Sequence, residues 1–183
     1  MISISRIDHI AQAVSDTAPQ VALLERLFGF RQKRRWDDSE MAYHGVALEM
    51  PGTAGVEWHV LAPVGEGAPL QTFLDGPRGP GLHHIAIEVP ELGAAMDELR
   101  SLGVQFYETA TVGGERWVDA FLVPQQDEKG LVFRFVQEPA SVEAKGPSRE
   151  AEGPTLGITA IDHICHAYSD RDVLARWYER VLG

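Results

Sequence analysis

The chain has 183 residues, 44% of them hydrophobic, and a formal net charge of -11; that is apolar material for one ordinary domain or two small ones, with a charge that repels phosphate backbones and anionic membranes. No apolar run approaches the roughly 20 residues of a membrane span and the N-terminus lacks a basic, then apolar, leader, so a cytoplasmic protein without nucleic-acid or membrane partners is expected. Cys165 is the only cysteine, which excludes intrachain disulfides and cysteine zinc sites and leaves any metal to His, Asp, Glu or Gln.

Ile4 to Val14 reads as a strand, rich in β-branched residues, and Ser15-Asp16 offers an N-cap to a helix in which Val21, Leu24, Leu27 and Phe28 recur at helical spacing. Gly29 sits where a left-handed glycine closes such a helix. Strands are predicted at Phe30 to Trp36, Met41 to Met50 and Gly55 to Ala62, separated by the turn signals Asp37-Asp38-Ser39 and Pro51-Gly52-Thr53. The order is βαβββ.

Residues 64–81 form a Gly- and Pro-rich connector with one short helix around Leu70, Phe73 and Leu74. The same order then returns. A strand over Leu82 to Val89 leads to a helix with Leu92, Ala95, Met96, Leu99 and Leu102 on one face, closed by Gly103, and strands follow at Val104 to Thr109, Arg116 to Val123 and Gly130 to Gln137. Placing His84 over His9 also places Ile85 over Ile10, Ala86 over Ala11 and Val89 over Val14, so residues 1–63 and 82–138 are two copies of one module.

A polar linker is predicted over 139–156, and a third start over 157–183. There Ile4, Ile7, Asp8, His9, Ile10, Ala13, Ser15, Asp16, Glu25, Arg26 and Gly29 are matched without a gap by Ile158, Ile161, Asp162, His163, Ile164, Ala167, Ser169, Asp170, Glu179, Arg180 and Gly183. A βα piece alone cannot bury its apolar faces, so this start is expected to be the truncated opening of a four-module protein or to dock on a neighbour, a homodimer being one such assembly.

Paired βαβββ modules, each with a histidine on its first strand, resemble the vicinal oxygen chelate superfamily of glyoxalases, bleomycin-resistance proteins and dioxygenases. Ala68-Pro69-Leu70-Gln71-Thr72-Phe73-Leu74 followed by Gly81-Leu82-His83-His84-Ile85-Ala86 resembles the connector and histidine pair of its methylmalonyl-CoA epimerase-like branch. The resemblance implies an α+β fold in which tandem modules form a cupped mixed sheet with helices outside. It also implies a divalent metal (Zn, Fe, Mn, Co or Ni) whose ligands fall on His9, His59 and His84, with Arg134 where relatives carry a carboxylate. Arginine stays protonated and cannot ligate a cation.

Three neutral imidazoles still suffice to hold a metal with open positions, and Arg134 is expected to clamp an anionic group of a small oxygenated substrate. Strand alternation puts Glu57 on the face of His59, which makes it the candidate base; a rim ion pair is its bland alternative. The activity implied is proton abstraction with enolate or enediolate stabilisation by an epimerase, isomerase or lyase. The alternatives are an Fe(II) dioxygenase and a metal-free binding or resistance protein. His44, His83 and His166 read as structural, and His163 is not expected to bind metal in this chain. The run Arg31-Gln32-Lys33-Arg34-Arg35 reads as a solvated strand face, and as the first place to look for contacts to a CoA-like phosphate.

Overall fold

The computed structural model describes residues 1–53, 55–77, 79–110, 116–121, 132–137, 156, 159–165 and 170–183. These fall into two compact units, one of Met1–Asp8, His84–Val142 and His163–Gly183, the other of His9–His83 and Glu143–Asp162.

In the second of these units, β1 (Arg6–Ala13, from His9 onward) leads to α1 (Thr17–Phe28), β2 (Arg31–Asp38), β3 (Tyr43–Glu49), β4 (Glu57–Pro63) and the short α2 (Pro69–Leu74). Asp16 caps α1 by accepting from the Ala18 amide, and Gly29 closes it at φ 70°, a left-handed conformation that a side chain would strain. β1 pairs with β4 in parallel, while β4 with β3 and β3 with β2 are antiparallel, giving the order β2-β3-β4-β1. One face buries Val46, Leu48, Val60 and Ala62 with Val21 and Leu24 of α1. On the other face Ala11, Ala13 and Leu61 pack with Leu70 and Leu74 of α2.

The other unit repeats the plan. It holds β5 (Gly81–Glu88, from His84 onward), α3 (Leu92–Ser101), β6 (Phe106–Ala110), β7 (Arg116–Phe121) and β8 (Val132–Val136), in the order β5-β8-β7-β6 with β5 and β8 parallel and the remaining pairs antiparallel. The α+β class and the doubled βαβββ plan are as the sequence predicts, with strand ends shifted by a few residues.

The third start behaves differently from its copy. Its helix forms as α4 (Arg171–Val181), with Asp170 accepting from the Asp172 and Val173 amides as Asp16 caps α1, and with Gly183 at φ 96° in the place of Gly29. Residues 159–165 are not a strand. β1 owes its existence to a ladder with β4, and residues 159–165 pair with no strand, so identical residues at eight of the first-strand and cap positions do not by themselves make one.

α4 packs on its own unit: Trp177 stacks on Phe133 at 5.6 Å between ring centroids, and the Ile2 amide donates to the Val181 carbonyl. Burying Leu174, Trp177 and Val181 contributes about 1.5–3 kcal/mol per side chain. The predicted linker lies, apart from Leu156, outside the described residues, as does His166. No helix among the described residues is long and apolar enough to cross a membrane.

Candidate functional site

His9 on β1 stands opposite Glu57 on β4, and Ala11 opposite His59, so alternation puts all four on one face. This is the face away from α1. Ala11 and Ala47, flanking His59 on the neighbouring strands, are fully buried and small. The space they leave lets the His59 ring stack on His9, with centroids 3.9 Å apart and planes at 19°.

The Glu57 carboxylate is buried, only 4% exposed. Its Oε1 accepts from Lys33 Nζ at 2.9 Å, and its Oε2 accepts from an Arg34 terminal nitrogen at 3.1 Å and from His59 Nε2 at 3.0 Å. Both cations come from β2, and a bulge brings them there. Gln32 pairs with Leu48 and Arg34 with Ala47, leaving Lys33 as the extra residue. Without it Arg34 would point to the opposite face; with it Lys33 and Arg34 both turn toward Glu57.

The same register shift sets Trp36 across from Gly45. The indole lies where a side chain at 45 would stand, since a Cβ there would fall 2.2 Å from the Trp36 ring. From that seat Trp36 meets His59 edge-on at 5.1 Å and carries the Arg34 guanidinium 4.9 Å above its ring. Gly45→Ala is therefore expected to expel the indole and to destabilise the fold by about 1–3 kcal/mol, measured by thermal or denaturant unfolding. An unchanged midpoint would show that the seat is not needed.

Burial pushes the His59 pKa down from 6.5 to about 3; His9 and Arg34 add to the fall, and the bond to Glu57 opposes it without prevailing. His59 is thus a neutral imidazole at neutral pH. With Nε2 donating to Glu57, its lone pair resides on Nδ1.

In the other unit His84 and Arg134 are buried at 1% and 8% exposure. Arg134 pairs with Ala86, two residues from His84, so the imidazole and the guanidinium share a face. His163 and His44 are exposed, the latter hydrogen-bonded to Asp37 through Nδ1, and His83 packs edge-on against Phe73.

The structure thus brings together His9, Glu57 and His59 in one unit and sets His84 and Arg134 on one face of the other. Gly45 was not singled out by the sequence as a member of the site, and Lys33 and Arg34 entered only as part of the cation run read as a solvated strand face. The run of cations was visible, but the bulge that turns two of them inward was not.

A divalent metal requires in-plane lone pairs that converge on one point. The rings of His9 and His59 are stacked with their planes at 19°, and His59 Nε2 is engaged by Glu57. Among the described residues no three His, Cys, Asp or Glu side chains form a group able to hold a metal ion. Within their own unit His9 and His59 do not make up a metal-binding group, and no catalytic step is derived through a metal.

Residues 8–117 match the family model described as the Glyoxalase/Bleomycin resistance protein/Dioxygenase superfamily. An ethylmalonyl-CoA/methylmalonyl-CoA epimerase of Cereibacter sphaeroides is 31% identical over 102 residues, which cover 56% of this chain and 74% of the relative. The human mitochondrial methylmalonyl-CoA epimerase is 26% identical over 136 residues, or 74% of this chain and 75% of the relative. The crystal structure of methylmalonyl-CoA epimerase from Mycobacterium tuberculosis superposes with a TM-score of 0.66, covering 76% of this chain and 91% of that one at 23% identity.

Proposed function

The chain belongs to the glyoxalase, bleomycin resistance protein and dioxygenase superfamily, and from that premise we propose that it is an epimerase acting on an anionic acyl-CoA thioester. The observation that carries the reading is the buried carboxylate of Glu57, fixed by Lys33, Arg34 and His59 on the face of the His9 and His59 pair, in a chain whose relatives carry epimerase names.

Inversion at the carbon beside a thioester carbonyl begins with removal of its proton. The electron pair of the C–H bond moves onto the carbonyl oxygen as an enolate, and return of a proton to the opposite face gives the other epimer. Three demands follow: a base, positive charge for the developing oxyanion, and a grip on the substrate's anionic groups.

Glu57 is the proposed base, its carboxylate oriented by three donors. His59, held neutral by burial, fixes the carboxylate from within the sheet face and adds no charge of its own. Arg134 is proposed as the clamp for an anionic group of the substrate, a bidentate donor set that remains charged at every working pH.

The test is incubation with methylmalonyl-CoA in deuterated water, followed by mass spectrometry or proton NMR. The expected result is exchange at the carbon between the two carbonyls without consumption of oxygen. Oxygen uptake by an iron-loaded sample, with no exchange, would give the dioxygenase reading instead. Neither exchange nor uptake would sink the enzyme reading for this substrate.

A further inference from the structure

We infer that the site takes a thioester whose α-carbon carries a large apolar substituent, seated on a shelf made by Trp36 and Tyr43; the inference rests on the epimerase reading and assigns the residues that select among its substrates. Both rings pack against the apolar cluster that Leu70 and Leu74 of α2 form with Ala11, Ala13 and Leu61. That cluster continues the face of Glu57 and His59, since Leu61 stands two residues beyond His59 on β4.

Register sets the distance from the base. Leu61 pairs with Gly45, and Gly45 with Trp36, so the indole belongs to the row beyond His59 as counted from Glu57. Successive rows on one face of a strand are about 7 Å apart. A methyl group on the carbon that faces Glu57 therefore ends short of the indole, whereas a butyl or benzyl group reaches it.

The two rings make a corner. A Cβ at Gly45 would meet three indole atoms at 2.2, 2.3 and 2.6 Å, so the ring lies face-down on the strand as a floor. Tyr43 stands against it as a wall, with planes at 83° and centroids 6.5 Å apart. The Arg34 guanidinium overhangs the indole 4.9 Å from its centroid, but it is tied to Glu57 and lies on that side. The end of the indole toward Tyr43 is the part offered to a ligand.

Core packing explains Leu61, Leu70 and Leu74, which are buried. It does not explain why two large rings on the same cluster stay half-buried, next to the carboxylate proposed to take the proton. Aromatic surface left uncovered beside a few fixed polar groups suits an apolar guest.

The experiment measures binding of methylmalonyl-, butylmalonyl- and benzylmalonyl-CoA to the full chain by calorimetry, for the wild type, Trp36→Leu and Tyr43→Leu, with unfolding midpoints alongside. A buried methylene is worth about fourfold in affinity, so the wild type is expected to bind the two larger compounds at least about tenfold more tightly than the methyl compound. Each variant is expected to lower that ratio to about threefold or less. Reading the ratio cancels any general loss of binding that a substitution brings.

A wild type that binds all three compounds equally overturns the shelf, as does a ratio that stays the same in both folded variants. Deuterium exchange at the α-carbon, run on the same three compounds, separates the two claims. Exchange with equal affinities leaves an epimerase without the shelf. A steep ratio that the variants abolish, with no exchange on any compound, leaves an acyl subsite and removes the epimerase.

Discussion

Glu57→Gln is expected to lower turnover of the CoA thioester by about 10²- to 10⁴-fold, the range that a positioned general base contributes, while leaving the protein folded. The substitution keeps the shape of the side chain and one acceptor oxygen, and removes the charge that takes the proton. The two cations that lose their counterion are 34% and 53% exposed, so water solvates them and little stability is at stake. A fall in kcat with KM nearly unchanged is the signature of a group used in the transition state. Retention of more than about half of the wild-type turnover by a Glu57→Gln protein with an unaltered unfolding midpoint would reduce Glu57 to an internal counterion for Lys33 and Arg34 and remove it from the chemistry.

Much of this site is legible in the sequence because β periodicity is simple. Residues two apart share a face, which is enough to place Glu57 with His59, and the repeat that sets His84 over His9 fixes both first strands. Lys33, Arg34 and Arg35 are exposed, as read from the sequence, but the turn of two of them toward Glu57 was not legible, for an equally physical reason: one extra residue at Lys33 shifts the register of everything after it, and nothing in the order Arg-Gln-Lys-Arg-Arg-Trp announces the shift. Gly45 is a similar case. Its meaning lies in the indole that occupies the place of its missing side chain, a contact between strands that pattern alone does not reveal. The third start marks the opposite limit, where the cap, helix and terminal glycine, all local features, reproduced those of α1, whereas the strand, which requires a partner, did not appear over residues 159–165.

Arg134→Gln is expected to cost about 10²- to 10³-fold in kcat/KM for an anionic thioester, the usual effect of removing one fixed donor from a developing or standing negative charge. Arg134→Lys, which keeps the charge and loses the fork, should recover part of the loss and not all of it. Because Arg134 is buried, unfolding midpoints for both variants are needed to separate lost charge from lost packing. The proposed reading gives the electrostatic work to protein cations, Arg134 on the face of His84 among them. Turnover should therefore be about the same after exhaustive dialysis against a chelator, in contrast to the several kcal/mol that a Lewis-acid metal supplies where one is used. Activity lost on chelation and restored by a divalent ion would show that the histidines swing into a ligand set when metal is present, with Arg134 then acting on the substrate beside the ion. Under that outcome Arg134→Gln and metal removal should each be costly, and a protein lacking both should be no worse than the more damaged of the two only if they serve the same oxygen.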